Sequence, residues 1–247
     1  MVPLIPWSIT LIVIVTQPLI ALAVWRILGA AAPKGVRIGL AVFLFGWLGI
    51  AFALAPSPAS LAGRDPFYLT PLIPLFVGAS FVVALLAFLF SPALRRAAEA
   101  ASLPALIGVQ VYRALGVLFV ILLTLGQLPA HFAKPAGWGD IFVGITGPMV
   151  ALALARRTPG AHGLAIAWNV LGLLDLMVAV GMGTGVLAPY LMPELGSRVP
   201  TAGAMGVFPL ILVPTFAVPL SVILHVLALS RLRHARSGSP AAAMMAG

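Results

Sequence analysis

The sequence predicts an all-α fold, a polytopic membrane helix bundle with seven transmembrane helices, N-terminus outside and C-terminus in the cytoplasm. Composition is the first ground. A mean hydropathy of +1.16, with 62% apolar and 8% charged residues, leaves too little polar surface to coat a soluble globule of 247 residues. Run length is the second: each apolar stretch reaches about 20 residues, enough for a helix to cross ~30 Å of hydrocarbon. The short alternating segments of an outer-membrane barrel are missing, so helices remain as the way to satisfy the backbone in lipid. The third is charge. Loops carrying two or three basic residues alternate with loops carrying one.

The predicted spans are Leu4 to Leu28, Val36 to Ala55, Tyr68 to Phe90, Pro104 to Leu128, Trp138 to Ala155, Gly163 to Leu187 and Gly206 to Ser230. The first lacks the basic leader of a secretory signal, and its charges come at its end and after it, Arg26, Lys34 and Arg37. Although Ala21-Leu22-Ala23 has the small-residue form of a cleavage site, the charge pattern favours a retained helix. Arg26, Lys34, Arg37, Arg95, Arg96, Arg156, Arg157, Arg231, Arg233 and Arg236 fall on one side, against Arg64, Lys134 and Arg198 on the other. The positive-inside rule makes the first side cytoplasmic.

After the third span, Ser91-Pro92 followed by Arg95 and Glu99 reads as a capped interfacial helix with an i, i+4 ion pair. The tail from Arg231 reads as basic and then disordered, its arginines against anionic lipid.

Spans one and five align without gaps, Thr16-Gln17-Pro18 through Arg26 on Thr146-Gly147-Pro148 through Arg156. Span three matches span seven through Pro74/Pro209, Phe81/Phe216 and Arg96/Arg231, and span two matches six weakly. This predicts a 3+1+3 parallel repeat. Residues 1–90 form the first three-helix repeat, 91–130 an interfacial helix plus a linker span, 131–233 the second repeat and 234–247 a disordered tail.

Intramembrane polar groups are expensive, about 2.5 to 3.5 kcal/mol for Asp or Arg at a helix centre, so those present need a partner or a purpose. Asp175 falls mid-span and Arg113 within an arginine's reach of that depth, which predicts an ion pair facing the interior. Gln110, Asn169 and His225 should complete its hydrogen bonds, with Trp168 as a wall. This set reads as a substrate-binding or proton-relay site. The structural alternative is a lock that fixes helix packing. Gln127, His131 and Asp140 form a second group near Lys134 and Trp138, read as an external mouth, or else as an interfacial anchor and a helix-dipole charge.

Other chemistry is sparse. The net charge of +9 sits at helix ends and in no basic stripe, so no nucleic-acid partner is expected. Zero cysteines exclude thiolate metal sites and iron–sulfur clusters, and no metal site or catalytic grouping is expected. Gly181-Met182-Gly183-Thr184-Gly185 ends a membrane helix, the wrong context for a phosphate loop. Lys34 and Lys134 lie outside the spans, excluding a retinal Schiff base. No cofactor is expected, and a single-histidine haem site is the one cofactor chemistry left open.

Gly137-Trp138-Gly139-Asp140, the stretch Asn169 to Leu176, and Pro214-Thr215-Phe216-Ala217-Val218-Pro219-Leu220 with Leu224-His225 resemble a family of bacterial integral membrane proteins without an assigned activity. The resemblance runs from about Gln110 to Arg233 and implies no activity. The 3+1+3 layout is similar to that of SWEET and PQ-loop carriers, although Gln17-Pro18 reverses the PQ dipeptide and Gly147-Pro148 lacks it. The expected function is therefore a small-solute or proton-coupled carrier of the bacterial inner membrane. The alternatives are a non-catalytic accessory subunit partnering other membrane subunits, and a haem-binding redox protein.

Overall fold

The computed structural model describes residues 5–57, 72–191 and 202–237, and every regular element among them is helical. Six helices among the described residues are long and apolar enough to cross a membrane: Trp7–Gly29, Lys34–Ala53, Leu103–Thr124, Ala130–Ala155, Ala161–Gly183 and Val213–Arg233. The third predicted span begins at Tyr68, outside the described residues. Its described part is the apolar helix Leu72–Phe90. Arg64, Arg198 and the tail beyond Ser237 also lie outside them.

Helix α1 (Trp7–Gly29) carries Pro18 inside it, and α2 (Lys34–Ala53) starts after Pro33. The turn between them is clamped by Trp25, whose Nε1 donates to the Arg37 carbonyl at 2.8 Å while the Arg37 guanidinium lies 5.5 Å from the ring centroid. Helix α3 (Leu72–Phe90) leads into α4 (Pro92–Ala100), which is capped as expected, Ser91 Oγ accepting from Leu94 N at 3.1 Å. The expected Arg95/Glu99 pair gives way to a different contact: Arg95 donates to the carbonyls of Phe88 and Leu89, which the end of α3 leaves without intrahelical donors.

The predicted fourth span is a composite. Helix α5 (Leu103–Gly108) passes into a 3-10 segment, Val109–Gly116, before α6 (Val117–Thr124). A 3-10 run of this length is unusual, and its neighbours explain what it accommodates. A Cβ on Gly144 of α7 (Ala130–Ala155) would collide with the Ala114 backbone, and one on Gly137 would come within 3.1 Å of the Gly116 carbonyl. Backbone therefore packs on backbone across this contact.

Helix α7 starts at Ala130, eight residues before the expected Trp138, because it accepts Pro135 internally as well as Pro148. Its outward face is a lipid-type stripe of Trp138, Phe142, Ile145, Met149 and Leu152, all exposed. Gly160, with a positive φ of 80°, makes the turn into α8 (Ala161–Gly183). The short α9 (Ala188–Leu191) and a 3-10 turn at Gly203–Gly206 precede a π-helical turn, Val213–Ala217, and α10 (Val218–Ser237).

The proline-interrupted seventh span thus resolves into a π turn joined to a helix. Pro219 has no N–H for the Thr215 carbonyl, which accepts instead from Trp47 Nε1 at 3.0 Å. Trp47 also stacks edge-on against Phe216. The helix continues through Ser237, so Arg231 and Arg233 belong to it and not to a disordered tail.

Two apolar clusters flank the middle of the bundle. One contains Leu118, Leu122, Phe132, Met182 and Leu210, the other Val24, Leu44, Trp47, Phe216 and Leu224. On α1, buried Gln17 lies in sequence between Val13 of the first cluster and Ile20 of the second.

Candidate functional site

Arg113, on the 3-10 segment, is the hub. Its Nε donates to Asp140 Oδ1 of α7 at 2.7 Å, and its Nη2 donates to Asp175 Oδ2 of α8. Nη1 serves two acceptors, the Gly172 carbonyl at 3.2 Å and His225 Nε2 of α10 at 2.9 Å. One guanidinium thus joins three other elements. Arginine suits this role because its donors fan out in a plane and stay charged.

The polar chain continues beyond it. Since Arg113 donates to His225 Nε2, the ring is the neutral Nδ1–H tautomer, and Nδ1 donates to Asn169 Oδ1 at 2.9 Å. Asn169 Nδ2 in turn donates to the Ala165 carbonyl at 2.7 Å. Trp168 packs on the imidazole with ring centroids 5.2 Å apart and ties α8 to α7 through Nε1 donating to Thr146 Oγ1 at 2.9 Å. Both ring nitrogens of His225 are engaged, leaving neither for a metal or haem iron.

Glycines make the room. A Cβ on Gly139 would collide with the Asp175 carboxylate, and one on Gly172 with the His225 ring. The string Gly137-Trp138-Gly139-Asp140 is therefore four roles in one helical turn: close packing, a lipid-facing indole, space for Asp175, and a carboxylate for Arg113. On α8 the i, i+3, i+6 spacing of Asn169, Gly172 and Asp175 puts their three contacts on one face.

The structure brings Arg113, Trp168, Asn169, Asp175 and His225 together. Gln110 is fully buried one turn away, but neither end of its amide has a hydrogen-bond partner. The outer group does not assemble as expected. Asp140 sits with Arg113 in the third turn of α7, because that helix starts at Ala130 and carries it inward. Gln127 donates to the Leu125 carbonyl at 3.4 Å, and His131 is buried with Nε2 unpartnered. Tyr112 and Ser221, whose hydroxyls are 2.6 Å apart, join α10 to the 3-10 segment beside the hub and carry no motif that would single them out in the sequence.

The sequence profile of a domain of unknown function, DUF8737, matches residues 70–233. The chain belongs to the DUF8737 family. The matched region contains the whole Arg113 network and excludes α1 and α2. No curated protein and no solved structure matches the chain.

Proposed function

We propose that this DUF8737 protein is a small-solute or proton-coupled carrier of a bacterial inner membrane, with Arg113, Asp140, Asp175, Asn169 and His225 as its centre and Gln110 and Trp168 beside it. One observation carries the reading: a single guanidinium is shared by two carboxylates from different helices. With both carboxylates ionised the trio holds one excess negative charge, which low-dielectric surroundings penalise heavily. Uptake of one proton or one small cation balances it. Binding of that ion neutralises one carboxylate and weakens its hold on the guanidinium, which would loosen α7 or α8 and couple occupancy to helix movement.

The wider layout we assign to the carrier is seven spans with the N-terminus outside and a 3+1+3 parallel repeat, in which Pro18 of α1 and Pro148 of α7 take equivalent places. Residues 1–90 and 131–233 are then the two halves, with 91–130 the linker and 234–247 the tail. Lipid is the solvent, and the substrate is a small molecule.

The rival reading, a structural or accessory subunit locked by the same ion pairs, is favoured by the close backbone packing of α7 on the 3-10 segment. The triple variant Arg113→Gln/Asp140→Asn/Asp175→Asn separates the two. In a deletion strain, a stable triple variant that fails to restore the strain's phenotype supports the carrier. Full restoration by the uncharged variant overturns it.

A further inference from the structure

On the α1 side of Arg113 lies a cavity of about 50 Å³, bounded by α1, the 3-10 segment and the π-helical turn. Much of its wall is apolar, but Gln17, Tyr112, Arg113, Asp140 and Ser221 all face it. Gln17 is 3% exposed and its Oε1 has no hydrogen-bond partner. An amide oxygen buried at mid-span without a donor is a standing cost, and ordered water is the usual resolution. A space of this size exceeds the ~10–15 Å³ that one water needs, and water stays where it finds two to four polar partners. Dry cavities are apolar. This one offers an acceptor at Gln17, a carboxylate at Asp140, and the Tyr112 hydroxyl.

Hydrogen-bond directions sharpen the point. Ser221 Oγ donates to the Ala217 carbonyl at 2.9 Å, so the 2.6 Å contact to Tyr112 must have the phenol as donor. The phenol's lone pairs, Gln17 Oε1 and Asp140 are then all acceptors, and what they share is a molecule that donates. Two of the walls are also places where the helical geometry departs from α, the 3-10 segment and the π turn. Such departures recur at functional positions.

We infer that this chamber is a hydrated proton entry to Asp140, in which water held by Gln17 and Tyr112 delivers a proton to the carboxylate. The inference rests on the proton-coupled reading of the same centre. The step is a simple exchange: an O–H bond of hydronium in the chamber breaks, one forms on an Asp140 oxygen, and water is left behind. Nothing is oxidised or reduced. Gln17 is a positioning residue, since it orients the water and takes no proton itself.

Radiolytic hydroxyl-radical footprinting of the full-length protein in lipid nanodiscs tests hydration directly, because water activated in place oxidises adjacent side chains. Leu210 and Phe119 line the chamber, whereas Leu106, as fully buried as Leu210, does not. Leu210 and Phe119 should label well above Leu106. Gln17→Leu should cut that labelling roughly fivefold and slow carboxyl hydrogen–deuterium exchange, followed by infrared spectroscopy, about tenfold, while Gln17→Asn restores part of both. Labelling of Leu210 no greater than that of Leu106 in the unmodified protein means a dry chamber and overturns the inference, with no variant required. Exchange equally fast in Gln17→Leu overturns the delivery role. A hydrated chamber with slowed exchange in the variant, in a protein that moves no solute, would retire the carrier reading and leave this one standing.

Discussion

Neutralising the charges of the Arg113 centre one at a time should produce an order of stabilities that a simple Arg–Asp pair cannot. The native trio is one cation against two anions. Arg113→Gln strands both carboxylates and also removes the donor to Gly172 and His225. Breaking a buried pair by removing one partner costs about 3 to 5 kcal/mol, and this change breaks two at once. At roughly 2 to 4 °C per kcal/mol for a chain of this length, one pair alone corresponds to about 6 to 20 °C, so the midpoint should fall by at least that much. Asp175→Asn leaves Arg113 paired with Asp140, keeps an acceptor in place and loses only charge assistance, about 1 kcal/mol, or roughly 2 to 4 °C. If only Arg113 and Asp175 mattered, Arg113→Gln/Asp175→Asn would recover fully. Asp140 remains unpaired in that double variant, so recovery should be partial, and complete only when Asp140→Asn is added. Thermal unfolding in detergent of the four variants reads the order. Asp175→Asn as damaging as Arg113→Gln, or a fully recovered double variant, refutes the three-charge account.

Two further outcomes test separate features. Gly139→Ala places a methyl where the Asp175 carboxylate sits and should destabilise by about 1 to 3 kcal/mol, an overpacking cost that Gly139→Ala/Asp175→Ala removes; equal stability of wild type and Gly139→Ala would mean that Asp175 lies elsewhere. In the cysteine-free chain, cysteines at Ser60 and Ser197 should react with a membrane-impermeant thiol reagent from outside intact cells and one at Ser237 should not; the reverse pattern inverts the orientation.

How far the centre is legible in sequence depends on what each residue owes to its depth and what it owes to a neighbour. Asp175 and Arg113 stand out because a charge in a long apolar run has no bland explanation, and the helical rise places them within reach of each other. Asn169 and His225 follow from the same rarity. Asp140 does not, because Pro135 and three glycines around it imitate a loop, whereas in a packed membrane helix those residues are what allow close approach. Gly137 and Gly144, seven residues apart, share the face of α7 that packs on the linker span, and Asp140 beside them is carried to the hub because the helix runs back to Ala130.

The 3-10 segment is illegible for a different reason. Nothing in Val109-Gln110-Val111-Tyr112-Arg113-Ala114-Leu115-Gly116 disfavours an α-helix locally, apart from the closing glycine. Its geometry accompanies the close fit of α7, since the Ala114 backbone occupies the space that a side chain on residue 144 would need. The guanidinium emerges from this tightened stretch with donors directed at three other elements. If the charge of the trio changes when an ion binds, the element that must respond is therefore the one whose hydrogen-bond geometry is already the least regular in its span. That places the centre of charge and the non-α geometry of the linker span on the same eight residues, Val109–Gly116, and a change of charge at Arg113 would act first on that segment.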